Sequence, residues 1–425
     1  MHMYIGKKVK LLSTLFILIL IFLVTIFRLF SYKETSNAET INPHEEIVEE
    51  SNENEKDIKD YSSLDIEYDL EKSKRDDHDY SNNDILIADK EKELTEENEI
   101  QEKEKIIVGN DLSIEHEPEY SGSFIIINSV GYEKFTLNKS YANVYVNSLN
   151  YYADNLKDEV KIYNLLAPTS SEFNMPNEYR NLSGSQKDGI DYAYSNMNEN
   201  IITVDAYSNL EKNKDDYLYF KTDHHWTALG AYRAYESFMK SKGEEAVPLD
   251  QYERVNSESK YLGSIYNMTE NLRLENNLDD IWYYKPLMSV EYTAINRDDT
   301  KWSANQIVFP SYFERDIKYA AFMGGDTAFS HIKVESDTDK KILVIKDSYG
   351  NAFIPFLLPH YSDVFVADPR YFTENIFDVI KENNIDDVLI INYSTVLQLP
   401  AFSKMIGDMG VSEVTTGSAI KLEIN

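Results

Sequence analysis

Ile342-Leu343-Val344-Ile345-Lys346-Asp347-Ser348-Tyr349-Gly350 decides how the rest of this 425-residue chain is read. The four apolar residues form a β-type run with no polar break, as in a strand buried on both faces. Asp347 to Gly350 turns the chain, and the apolar run from Ala352 to Leu358 reads as a following helix. A serine on such a strand-to-helix turn projects its hydroxyl towards the space that the helix N-terminal amides also face. Those amides can hold an oxyanion. The same position equally suits a serine that merely caps the helix.

The second stretch is Lys221-Thr222-Asp223-His224-His225-Trp226-Thr227. Asp223 lies two residues before His225, and a carboxylate can fix the tautomer of an imidazole. Serine, histidine and aspartate are the parts of an activated hydroxyl nucleophile. Ser348, His225 and Asp223 are therefore the candidate catalytic residues. Asp223, His224 and His225 are also a possible metal-ligand set, and a structural histidine is a third reading. His224 is expected to point away from His225, so that only one of them serves the site. Trp226 either walls the site or belongs to the core.

Two further segments bear on a site. Tyr319-Ala320-Ala321-Phe322-Met323 reads as a strand running into Gly324-Gly325-Asp326, a turn able to offer backbone N–H groups or to be a plain turn. Asp368-Pro369-Arg370 follows the apolar run Val364-Phe365-Val366, and Arg370 can meet an anionic group or pair with Asp368 at the surface.

Strands and helices alternate around these points. Strands are expected at Ser123–Ile127, Val160–Leu166, Ile201–Val204, Ile342–Ile345, Val364–Val366 and Val388–Ile391. Helices are expected at Asn138–Asn155, Gln186–Met197 and Ala228–Lys240, the last capped by Thr227 or Thr222. This order predicts an α/β fold with a mostly parallel sheet flanked by helices. In such sheets sites gather at the carboxyl ends of strands, where Ser348 and the Ala167-Pro168-Thr169 loop both fall. Residues 243–318 are less regular and are read as an insertion that can roof the site.

The N-terminal quarter is different in kind. Leu11 to Phe30 is almost wholly apolar and follows Lys7, Lys8 and Lys10. About 20 residues at ~1.5 Å each give roughly 30 Å, enough to cross a bilayer. The basic residues before the run place the remainder outside the cytoplasm. An uncleaved single-pass anchor over 1–32 is expected, with a cleaved signal peptide as the competing reading. Residues 33–120 are rich in Glu, Asp, Asn, Lys and Ser and read as a disordered acidic spacer. The folded domain is then 121–425.

With 42 Lys+Arg against 74 Asp+Glu, the formal net charge is -32, which argues against binding nucleic acid through its phosphates. The absence of cysteine excludes disulfides, a thiolate metal site and a Cys nucleophile. The 32 tyrosines supply aromatic faces that suit sugar rings, although most such residues simply pack.

Tyr219-Phe220-Lys221-Thr222-Asp223-His224-His225-Trp226-Thr227-Ala228-Leu229-Gly230-Ala231-Tyr232 resembles the signature of the bacterial DHHW family. That family is similar to the SGNH-hydrolase-like proteins of exopolysaccharide O-acetylation, of the alginate acetylation type. The resemblance runs over roughly 122–425 and takes in Leu165-Leu166-Ala167-Pro168-Thr169, Gly324-Gly325 and Lys346-Asp347-Ser348-Tyr349. It implies an SGNH-like fold, with Ser348 as nucleophile, His225 as base and Asp223 as its orienter. Backbone N–H groups of Ser348 and Gly325 would form an oxyanion hole. The chain departs from the pattern twice. Lys346 stands in the place of a glycine, and Asp326 stands where an asparagine is used.

The resemblance further implies O-acetyl transfer to a cell-surface polysaccharide, with no cofactor and no metal. A membrane-bound acyltransferase partner would supply the acetyl groups. Three alternatives stay open: an acetyl esterase with the same site, a non-catalytic polysaccharide-binding or assembly protein, and a metal-dependent phosphoesterase. The last needs further ligands, for which Asp205 and Asp326 are the candidates.

Overall fold

The computed structural model describes residues 117–156 and 160–411. The apolar run Leu11–Phe30 and residues 33–116 of the acidic stretch lie outside the described residues. Among the described residues no helix is long and apolar enough to cross a membrane.

The described chain opens with an antiparallel meander of β1 (Glu119–Ser121), β2 (Phe124–Ile127) and β3 (Val130–Glu133). The strand expected at Ser123–Ile127 is therefore present but outside the main sheet. Helix α1 (Lys139–Leu156) leads to β4 (Lys161–Ala167), the short helix α2 (Ser170–Phe173), α3 (Gln186–Asn196), β5 (Ile201–Thr203), α4 (Ala206–Lys212) and α5 (Ala228–Lys242). Next come β6 (Arg254–Asn256), α6 (Ser264–Thr269) and β7 (Trp282–Tyr284), with β6 and β7 pairing as an antiparallel ribbon. The remaining elements are β8 (Val290–Ile295), β9 (Lys301–Ala304), β10 (Phe329–Val334), β11 (Lys341–Lys346), α7 (Tyr349–Phe353), β12 (Asp363–Ala367), α8 (Ile376–Asn383), β13 (Asp387–Tyr393) and α9 (Pro400–Asp408).

Eight strands form the central sheet in the order β5-β4-β13-β11-β12-β10-β8-β9. The first five run parallel. From β12 outward every pairing is antiparallel. The expected parallel sheet thus accounts for five of the eight strands. The other three include β8 and β9 from the 243–318 segment, so part of that segment extends the sheet instead of standing apart as an insertion.

Burial follows from strand geometry. Side chains alternate along β11, so Leu343 and Ile345 pack with Tyr145, Leu149, Ile190, Ile380 and Ile406 of α1, α3, α8 and α9. Ile342 and Val344 face the other way, into a cluster with Leu210, Tyr235, Phe238 and Phe353 of α4, α5 and α7. An uninterrupted apolar run is what a strand between two helical layers requires.

Helix α5 is capped by Thr227, whose hydroxyl accepts the Gly230 N–H at 3.3 Å. The alternative cap, Thr222, is spent elsewhere. Tyr319–Met323 is not a strand: Lys318–Ala321 is a 3-10 turn, and only Phe322 pairs, in an isolated bridge to Val308. Its apolar residues other than Ala320 are buried as their pattern suggests, but no neighbouring ladder lies beside them.

Candidate active site

Strand β11 ends at Lys346, and Ser348 begins the turn into α7 at the carboxyl end of the parallel half. Asp347 sets this turn. Its Oδ1 accepts the Tyr349 N–H at 3.0 Å, while Oδ2 accepts the Asn392 amide at 3.0 Å and the Tyr393 N–H at 3.1 Å. The turn is thereby pinned to the end of the adjacent strand β13. Burial pushes the Asp347 carboxyl up to about 6, against the opposing pull of these donors.

The 221–227 segment meets it from the α5 side. His225 Nε2 lies 2.7 Å from Ser348 Oγ, and His225 Nδ1 lies 2.7 Å from Asp223 Oδ1. Asp223 is 1% exposed and His225 6%, whereas Ser348 is half-buried. Burial alone raises the Asp223 pKa, but attraction to His225 and their hydrogen bond, helped by Tyr261, outweigh it and hold the carboxyl well below the ordinary range. An ionised Asp223 only accepts, so His225 Nδ1 carries a proton, and the ring with Nε2 free of one accepts the Ser348 O–H.

The 243–318 segment holds Asp223 from behind. Tyr261 O–H donates to Asp223 Oδ2 at 2.6 Å, and the Ser264 N–H donates to the same oxygen at 2.7 Å. Backbone and side chain meet closely here: a Cβ on Gly263 would lie 2.3 Å from Asp223 Cβ. Asp279, fully buried, accepts the N–H groups of Lys221 and Thr222 at 2.8 Å each, and the Thr222 hydroxyl at 2.5 Å. A ring lies against the imidazole as well. Tyr319 stacks on His225 with centroids 3.8 Å apart and planes 10° apart, and its O–H donates to the Ser348 carbonyl at 3.2 Å.

Several expected residues stand elsewhere. His224 does not point away, because its ring centroid is 3.9 Å from that of His225, with Nδ1 2.6 Å from Ser264 Oγ. Trp226 lines nothing: it is fully buried, and its indole N–H donates to the Tyr349 carbonyl at 3.0 Å. Gly324 and Gly325 both have positive φ, but the Gly325 N–H already donates to the Phe322 carbonyl at 3.1 Å. It is therefore not turned out to receive an oxyanion. Arg370 makes a buried ion cluster instead of a surface pair, donating to Asp368 Oδ2 at 2.7 Å and Asp326 Oδ2 at 2.6 Å. Asp326 also takes Lys346 Nζ at 2.6 Å, so its charge is compensated.

Asp223, His224 and His225 place one ligand-type atom each within 4.8 Å of one another. Those atoms are already engaged: both Asp223 oxygens accept hydrogen bonds, His225 bonds through both nitrogens, and His224 Nδ1 meets Ser264. Of the further ligands a metal site needs, exposed Asp205 caps α4 by accepting the Ser208 N–H, and Asp326 lies in the ion cluster. The donor set fits a hydrogen-bonded relay better than a metal centre.

Sequence reasoning missed Tyr261, Ser264, Asp279 and Tyr319. They lie in the irregular segment or just after it, where no periodicity singles them out.

The geometry brings Ser348, His225 and Asp223 together at the carboxyl end of the parallel strands of an α/β sheet. The DHHW protein family model matches residues 32–367, more than half of the chain, and the chain belongs to that family. A DHHW family protein from Eubacterium siraeum shares 27% identity, covering 70% of this chain and 98% of its own, with a TM-score of 0.63. PatB1 of Bacillus cereus, solved with a sulfonyl adduct, shares 20% identity over 66% of this chain and 96% of its own, with a TM-score of 0.56. At that identity it supports the fold alone. The O-acetyltransferase domain of Pseudomonas putida AlgJ is more distant, with 12% identity over 69% of this chain and 99% of its own and a TM-score of 0.37. No curated protein matches the chain.

Proposed function

We propose that this chain is a serine-dependent O-acetyltransferase acting on a cell-surface polysaccharide from outside the membrane, held there by the apolar run Leu11–Phe30. The observation that carries the chemistry is the relay from Asp223 through His225 to Ser348, with both links at 2.7 Å. Ser348 Oγ attacks the acetyl carbon of a donor while His225 Nε2 takes its proton. The bond from that carbon to the leaving group breaks, and the leaving group receives the proton. A sugar hydroxyl then repeats the step on the acetyl-enzyme, giving its proton to His225 and freeing Ser348. Asp223 stays ionised and steadies the imidazolium. The transfer consumes no cofactor. A membrane-bound acyltransferase is the proposed source of the acetyl group, because acetyl-CoA is a cytoplasmic donor.

Water in place of the sugar hydroxyl makes the same site an acetyl esterase. The test is intact-mass analysis of the full chain after exposure to an activated acetyl ester or a sulfonyl fluoride, the latter chosen because PatB1 was solved with a sulfonyl adduct. One adduct on the wild type and none on Ser348→Ala is expected. Acetylated glycan against free acetate then separates transfer from hydrolysis. Folded protein that never takes either label would sink the proposal in favour of a non-catalytic polysaccharide-binding role.

A further inference from the structure

Asp326 occupies an unusual place relative to Ser348. Its Oδ1 accepts Lys346 Nζ at 2.6 Å and the Asn351 side-chain amide at 2.8 Å, so one oxygen bridges the residue two before the serine and the residue three after it. Its Oδ2 accepts Arg370 at 2.6 Å, and Arg370 in turn holds Asp368. Lys346 also approaches Asp368, at 3.5 Å. Two cations and two carboxylates thus balance to zero, and their side chains are at most 11% exposed. The lysine stem is accommodated by the turn itself. A Cβ on Gly350 would lie 2.7 Å from Lys346 Cβ, so Lys346 packs against the first residues of α7. The Ser348 carbonyl is fixed in the same turn, accepting the Asn351 N–H and the Tyr319 O–H at 3.2 Å each.

We infer that Asp326 and Lys346 form a compensating ion pair beside Ser348, and that their joint neutrality, not either charge by itself, keeps the serine turn competent. The inference rests on Ser348 acting as the nucleophile proposed above. Removing Lys346 alone leaves the cluster with a net negative charge beside the serine, where acyl transfer develops an oxyanion. Removing the charge of Asp326 alone leaves two buried cations to share Asp368. Removing both leaves the neutral Arg370–Asp368 pair.

The experiment compares full-length wild type, Lys346→Met, Asp326→Asn and the double variant. p-Nitrophenyl acetate turnover gives kcat and KM, and sulfonyl fluoride labelling counts competent sites. Each single variant is expected to lose at least about tenfold in kcat per competent site, with KM within about threefold. The double variant is expected within about threefold of wild type. A merely structural pair would lower the melting temperature and the number of competent sites but leave kcat per site unchanged. That result, or a double variant no faster than the slower single one, overturns the inference. A wild type that takes no Ser348-dependent label would instead overturn the nucleophile reading, and this inference with it.

Discussion

Two buried carboxylates flank the site, and they behave in opposite ways. Asp223 and Asp347 are 1% and 4% exposed, so burial works against the charge of each. Asp223 is nevertheless held well below the ordinary carboxylate range, because an imidazole attracts its charge. Asp347 meets chiefly neutral donors, Asn392 and two backbone N–H groups, and burial leaves it pushed up to about 6. Partners, not depth, decide the charge. The acid–histidine side is built to stay ionised, whereas the serine side holds a carboxyl that serves as a turn-former.

The largest expected break in this comparison is at the relay. Ser348→Ala and His225→Ala should each lower acetyl-ester turnover by on the order of 10³-fold or more, read by kcat. In denaturant unfolding Ser348→Ala should change little, whereas His225→Ala should also destabilise, because it leaves the buried Asp223 carboxylate without its imidazole. Gly263→Ala should come next, because its Cβ would lie 2.3 Å from Asp223 Cβ. A loss of about 1–3 kcal/mol in chemical denaturation is expected, together with most of the activity. Tyr261→Phe removes one donor from Asp223 and should lower kcat by about tenfold while the fold stays intact by circular dichroism.

The pH dependence sharpens the contrast, because the two carboxyls push stability in opposite directions. Asp347, raised in the folded state, binds its proton more readily there than in the unfolded chain. It therefore adds stability as pH falls from about 6 towards its unfolded value near 4, and withdraws it as pH rises, by about 2–3 kcal/mol at most. Asp223, lowered in the folded state, contributes stability above its unfolded value that is lost as pH falls further. Unfolding free energy should thus rise between pH 6 and about 4 from this term and then fall. Asp347→Asn should flatten the upper limb only. The smallest effect belongs to Ser264→Ala. The backbone N–H on Asp223 survives that change and only the contact to His224 is lost, so activity should change by less than about threefold.

The sequence carried the parts of this site that sit on regular elements. Ser348 could be placed at a strand end because Ile342–Ile345 is apolar on both faces, and Asp223 could be paired with His225 because the two lie on one short segment. The antiparallel half was not legible. Residues 319–323 are apolar for burial without a ladder, and β10 comes from Phe329–Val334, whose Ser330, His331 and Lys333 interrupt any apolar run. Tyr261, Asp279 and Tyr319 reach the site through tertiary contacts across tens of residues, which no local pattern records. Arg370 pairs with Asp368 as its spacing suggests, but its burial is not legible, because Lys346 and Asp326 become its neighbours only when the sheet closes.

The central strand β13 is made late in the chain, yet it lies between β4 and β11 and ties the Ser348 turn through Asn392 and Tyr393. During synthesis, two strands therefore wait without their shared neighbour until more than 390 residues exist. A chain cut short before Asp387 should be rapidly degraded by added protease, and a shortened chain that resisted digestion would contradict this. The Ser348 turn therefore gains its anchor only when β13, the last described strand, has been made.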